Sequence, residues 1–345
     1  MTKNSLAIIS IICVSISLFM YYFFIFDILN VNIFIYPDFQ QYIRNDLFSA
    51  NFGYGIVVRY LNFELSNPLY VTVSITFHIY LVYFCTIYLR NYFSKISFTV
   101  FVAYLALNPF LAASAFLFDT ILFVKIFVVV ALMHEKNVIT PRQFLYLSLM
   151  LALFRFSILL LLLPYLISNK FWSSVGLRYL IVSILSVCLI FLAQGDYLSR
   201  LGSSIDRYNW NEETESLFEF LKYDWLSKIF VYFSKTLLLF GGREAMYTEG
   251  LKAFIDQEKY LQLIMCSFLA IVNLIGFVIF CLSKKFSFQF KMSLFVLVFG
   301  SLLSVSHARY ITPYMPIFAI SIVYGLQNLL SNLRKKDENF HNPRI

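Results

Sequence analysis

The chain has 345 residues, of which 60% are hydrophobic, 19% aromatic and only 13% charged, and its mean hydropathy is +0.75. A soluble domain carries roughly a quarter charged residues, so this composition excludes an ordinary water-facing surface and predicts an all-α, multi-span membrane protein. The formal charge of +8 sits mostly in short basic clusters between apolar runs, the pattern of membrane orientation signals, which argues against nucleic acid as a partner.

The first apolar run, 6–26, follows Lys3. It is long enough to cross hydrocarbon at 1.5 Å per residue and no small-residue cleavage site follows it, so it reads as a retained first helix. Further runs lie at 69–89, 97–118, 120–133, 178–194, 261–283, 292–306 and 313–330. Arg90 and Lys95, Lys136 and Arg142, Lys170 and Arg178, Lys284, Lys285 and Lys291, and Arg334 to Lys336 fall in successive connections. The positive-inside rule places these connections and both termini in the cytoplasm.

That assignment requires 144–168 to cross nothing on balance, since Arg142 and Lys170 flank it on the same side. A re-entrant pair of half-helices satisfies it: Leu145 to Leu153 enters, Arg155 stands near the turn, and Ile158 to Ile167 returns with Pro164 inside. Such interruptions are tolerated at depth where protein or a water-filled cavity covers them. The competing reading is one full span, with 226–240 supplying the missing crossing. The expected architecture is a transmembrane helix bundle of about ten membrane segments in a single domain, 1–333, with extracytoplasmic loops at about 27–68 and 195–259. The polar stretch 334–345 is expected to be a disordered cytoplasmic tail.

Isolated charges inside apolar runs are the first candidates for function. A guanidinium at membrane depth costs at least about 2.5 kcal/mol on insertion scales, so Arg155 points to a cavity, a phosphate or a carboxylate. Lys125, a few residues after Asp119 within 121–133, reads either as a structural ion pair or as a site residue. In the first outer loop Asp38 follows Pro37 and precedes Tyr42 and Arg44; it is either a helix cap or a carboxylate able to take a proton from a sugar hydroxyl. The segment from His307 through Arg309 and Tyr310 to Pro316 offers a guanidinium fork and an imidazole suited to phosphate oxygens. Its alternative is a snorkelling anchor with Tyr310 and Tyr314 in the aromatic belt. Arg207 stands beside Tyr208 near Glu212, Glu213 and Glu215, a pattern of hydrated surface, and is retained as a further substrate-binding cation.

His78 reads as a hydrogen-bonded helix-packing histidine. The five cysteines, Cys13, Cys85, Cys188, Cys266 and Cys281, read as small core residues. No His, Cys and carboxylate grouping has metal spacing, and neither a Walker loop, GxSxG nor a dinucleotide fingerprint occurs, so neither metal nor cofactor is expected.

The segments Asp38 to Tyr42 with Gly53-Tyr54-Gly55, Asn108-Pro109-Phe110, Arg155 to Pro164, and Arg309-Tyr310 with Pro313 and Pro316 together resemble the GT-C superfamily of membrane glycosyltransferases and the related O-antigen and EpsG-like polysaccharide polymerases. EpsG-like proteins often have histidine where Arg155 stands, and many GT-C enzymes carry a longer soluble domain. The resemblance implies a bacterial inner-membrane enzyme in O-antigen or capsule assembly that joins polyprenyl (di)phosphate-linked oligosaccharide repeats at the outer face, with membrane lipid and polysaccharide-assembly proteins as further partners. It implies that Asp38 orients or deprotonates the acceptor while Arg155 and Arg309, with Arg44 and His307, hold the phosphate. Tyr42, Lys125, Arg207 and Tyr310 complete the substrate-binding set. A single-sugar transferase using polyprenyl-phosphate sugar and a lipid-linked glycan transporter are the alternatives.

Overall fold

The structure, a computed structural model, describes residues 3–20, 68–90, 95–108, 111, 121–155, 157–168, 236, 239–240, 260–303 and 311–341. Most of these residues are helical, and no strand occurs among them. In chain order the helices are α1 (Lys3–Met20), α2 (Pro68–Leu89), α3 (Lys95–Leu107), α4 (Ile121–Glu135), α5 (Pro141–Phe154), α6 (Ser157–Leu166), α7 (Tyr260–Leu282), α8 (Phe288–Leu303) and α9 (Met315–His341), with a 3-10 turn over Thr312–Tyr314.

Side-chain contacts fix how the helices run. Ser10 Oγ meets Thr86 Oγ1 at 3.3 Å, near the end of α2, whereas Ser17 Oγ donates to the Leu105 carbonyl at 2.7 Å, near the end of α3. Helix α1 is therefore antiparallel to α2 and parallel to α3. Lys125 and Ser74 meet near the starts of α4 and α2, and Lys136 lies over the Tyr88 ring just past one end and within the other. Those two helices run in parallel. The turns at 136–140 and 283–287 therefore share one end of the bundle with Arg90 and Lys95, hereafter the basal end, and Gln327 of α9 reaches Ser97 there. The other end, where α1, α3 and α8 finish, is the apical end.

Local sequence accounts for the sharp basal turn between α4 and α5. Asn137 takes a left-handed φ of 53°, a conformation asparagine tolerates better than most residues. Its N–H bonds the His134 carbonyl and that of Val138 bonds Met133, a Schellman ending. Thr140 and Gln143 then form a reciprocal capping box, with Pro141 in the first turn of α5. Together these end one helix and start the next within five residues.

The interior is aromatic. Phe286 contacts Tyr88 and Phe280 at ring separations of 4.8 and 4.9 Å, and Phe144 lies 4.7 Å from His134 and 4.8 Å from Tyr165. The outer faces are apolar too: on α7, Ile264, Phe268, Ile271, Ile275, Val278 and Leu282 form one exposed stripe at helical spacing, while polar Ser74, His78, Asn108, Lys125, Asn273 and Ser293 are buried. Among the described residues one helix, Val71–Leu89, is long and apolar enough to cross a membrane; the other apolar helical stretches are shorter.

Two expected boundaries shift. The helix that opens the run 97–118 ends at Leu107, before Asn108-Pro109, because the residue preceding a proline is driven out of helical conformation. Helix α9 does not stop near 330 but continues through Arg334, Lys335 and Lys336 to His341, which corrects the expectation of a disordered tail over that stretch; leucine, arginine, lysine and glutamate there are good helix formers. At its other end, Tyr314 is fully buried rather than placed in an exposed aromatic belt.

Candidate functional site

Arg155 occupies the break between α5 and α6. Its backbone is extended, with φ −148° and ψ 110°, and its Nε donates to Ser157 Oγ at 3.0 Å, which orients the half-buried guanidinium. Phe144, at the start of α5, touches Tyr165, at the end of α6, so the two helices fold back as an antiparallel hairpin with Arg155 at its tip. The hairpin has the form of the expected half-helix pair rather than of one continuous rod. With 14 and 10 residues, its arms are about 21 and 15 Å long, each short of a hydrocarbon core of about 30 Å.

The hairpin tip packs on α4. Phe154, next to Arg155, stacks on Phe123 of α4 at 4.7 Å and 14°, and Lys125, two residues on and so about 200° round the helix, faces α2 instead. Lys125 is 1% exposed and its Nζ donates to Ser74 Oγ at 3.3 Å. It lies about 15 Å along α4 from Glu135, half the thickness of a hydrocarbon core. His78, one turn after Ser74 on α2, is also buried. Its Nδ1 has no hydrogen-bond partner, in contrast to the expectation of a satisfied packing histidine.

A second helix interruption sits beside α4. Every residue from Ile311 to Ser321 is buried, and Met315 lies about 14 Å along α9 from Tyr324, whose hydroxyl donates to the Tyr88 carbonyl at the basal end. The head of α9 thus begins inside the bundle. Ser293 and Tyr314 hydroxyls meet there at 3.4 Å, and Asn108 Nδ2 approaches Met315 Sδ at 3.4 Å. Tyr104 donates to Asn273 Oδ1, and Asn273 in turn donates to the Phe240 carbonyl. Buried polar groups from α2, α3, α4, α7 and α8 therefore collect at middle depth, where each needs a partner because water is scarce.

Of the residues singled out from sequence, Arg155 and Lys125 lie among the described residues, Arg155 on the hairpin that packs on one side of α4 and Lys125 turned from α4 toward α2. Asp38, Tyr42, Arg44, Arg207, His307, Arg309 and Tyr310 lie outside the described residues, as does Asp119. The helix ends that flank two of those segments, Met20 and Pro68, then Leu303 and Ile311, belong to the apical side of the bundle. Ser74, His78 and Asn273 were not anticipated, although a lone polar residue within an apolar run is a sequence signal for such a role. Among the described residues no three His, Cys, Asp or Glu side chains gather as metal ligands do. Chemically, the arrangement supplies an oriented guanidinium at a hairpin tip and, separately, a desolvated ammonium held on Ser74, each a group suited to phosphate or carboxylate oxygens.

No protein-family model, no curated protein and no solved structure matches the chain.

Proposed function

We propose that the chain is an integral membrane glycosyltransferase that joins polyprenyl (di)phosphate-linked oligosaccharide repeats at the outer face of a bacterial inner membrane, during O-antigen or capsule assembly. The membrane reading rests on the apolar exterior, the polar side chains buried within an aromatic interior and the collection of basic residues at one end of the bundle. The observation that carries the activity is Arg155 at the tip of a hairpin packed on α4, the helix that also carries buried Lys125. Cleavage of a glycosyl phosphate builds negative charge on the leaving group, and fixed cations in a poorly hydrated cleft stabilise that charge more than water does. In this reading Arg155 and Arg309 hold the departing phosphate, with Lys125, Arg44, Arg207 and His307 in support. Asp38 takes or orients the acceptor proton, and Tyr42 and Tyr310 contact the sugars.

The test is conversion of lipid-linked repeats to a product ladder by purified protein in detergent. Arg155→Ala and Arg309→Ala are expected to abolish the ladder while the protein stays folded; an unchanged ladder in both overturns the site. Addition of one sugar only, from a polyprenyl-phosphate donor, identifies a single-sugar transferase instead.

A transporter of the same glycan is the second reading. It is favoured by two helix interruptions, at Arg155 and at Ile311 to Met315, together with a buried lysine at middle depth, features that transporters use to bind charged cargo. Elongation in detergent without a gradient excludes transport as the sole activity.

A further inference from the structure

Two lysines from turns far apart in sequence are brought side by side at the basal end. Lys136 follows α4 and lies over the Tyr88 ring, with Nζ 3.4 Å from its centroid. Lys285 stands between α7 and α8, its Nζ 5.6 Å from the Tyr324 ring centroid. The Tyr324 hydroxyl donates to the Tyr88 carbonyl, so the two rings form one linked floor beneath two cations. Both lysines are exposed. Burial at the floor and the Lys285 charge lower the Lys136 pKa, against the Glu135 carboxylate, which raises it. Glu135 is itself turned towards α8, accepting from the Ser287 backbone N–H at 3.0 Å and from its hydroxyl.

A fold that holds two ammonium groups against each other's repulsion presents a place for an anion. The flanking residues indicate its source. Leu282 and Phe288, on either side of the lysine turn, are 78% and 72% exposed, and Leu282 ends the apolar stripe of α7. A headgroup phosphate on the lysines would leave its acyl chains against that stripe, a match that free phosphate cannot make.

We propose that Lys136 and Lys285, on their Tyr88 and Tyr324 floor, bind the phosphodiester headgroup of an anionic phospholipid in the basal leaflet. This site is separate from the proposed catalytic region but rests on the membrane reading. A neutralised basic residue near an anionic surface loses about fivefold in binding, so Lys136→Gln with Lys285→Gln should weaken headgroup binding about thirtyfold.

The experiment compares thermal unfolding of the full chain in phosphatidylcholine nanodiscs with and without phosphatidylglycerol, with native mass spectrometry counting retained phosphatidylglycerol. Wild type and Lys136→Arg with Lys285→Arg are expected to melt higher with phosphatidylglycerol. The Lys136→Gln with Lys285→Gln protein is expected to match wild type in phosphatidylcholine alone and to lose the phosphatidylglycerol shift and the retained lipid. Arg142→Gln, at the same end but outside the pair, is expected to keep both. Retention of the shift by the glutamine pair, or equal loss in Arg142→Gln, overturns the site. Reproduction of the shift by inorganic phosphate in phosphatidylcholine discs overturns the lipid as ligand. Recovery of wild-type protein folded and soluble without detergent overturns the membrane reading itself, and is seen before any lipid is compared.

Discussion

Gly276 and Gly325 sit on the same helix pair and should respond oppositely to one added methyl group. A Cβ on Gly276 would lie 2.6 Å from Phe318 Cβ and 3.2 Å from both the Phe318 Cα and carbonyl oxygen. Carbon atoms pack at about 3.5–4.0 Å, so the overlap is about 1 Å, and it falls mainly on atoms of the α9 backbone that no rotamer change can move. Overpacking of this kind costs about 1–3 kcal/mol, from which a helical alanine recovers about 1 kcal/mol relative to glycine. A rigid backbone target places Gly276→Ala near the upper end, with a net loss of about 2 kcal/mol. On Gly325 the added Cβ meets Ile279 Cδ1 at 3.0 Å, the free end of a side chain that can turn aside. There the propensity gain dominates, and Gly325→Ala should be neutral or up to about 1 kcal/mol more stable. In detergent the two melting midpoints should differ by about 5 °C, taking roughly 2 °C per kcal/mol for a chain of this size. If Gly276→Ala melts at or above Gly325→Ala, the close approach of α7 to the head of α9 is wrong, and so is the placement of that head inside the bundle.

Lys125→Met replaces a desolvated ammonium with an apolar side chain of similar length; the melting temperature should hold or rise while product formation is lost, and a parallel loss of stability would instead mark Lys125 as purely structural. Thr140→Ala removes half of the capping box and should destabilise the start of α5 by about 1 kcal/mol, read as faster amide exchange in 142–144 than at the same sites in wild type; unchanged exchange refutes the cap. Asn137→Ala places a Cβ-bearing residue without local side-chain hydrogen bonding at φ 53° and should cost about 1 kcal/mol in thermal stability, whereas Asn137→Gly should cost nothing. Equal melting of the two variants would mean that the α4 ending does not depend on the left-handed residue.

The hairpin was legible because several signals agreed on it. Arg142 and Lys170 demanded the same side, and Arg155 stood in the middle of the run. Lys125 was visible for the same reason as Arg155: an isolated charge in an apolar run needs a partner wherever the chain places it. Its partners were not visible, since Ser74 and His78 belong to a helix whose parallel course beside α4 depends on tertiary packing. The end of α3 at Leu107 was readable from Asn108-Pro109 but was overridden by the continuous hydropathy of 97–118. The buried head of α9 had no hydropathy signature, because an apolar segment looks the same whether it starts at the membrane boundary or halfway down. The Lys136 and Lys285 pair illustrates a further limit. Each lysine was correctly assigned to a connection, yet their meeting depends on two helix ends arriving at one pair of tyrosines.

The short arms of the α5–α6 hairpin bear on the order in which the chain is assembled. Neither arm is long enough to be released into lipid alone, and the end of α6 rests on α8, where Gln289 donates to Ser168 Oγ. That support is synthesised long after the hairpin itself. The newly made segment must therefore wait at the insertion machinery or the membrane surface, and the region around Arg155 matures only once the carboxy-terminal helices have arrived.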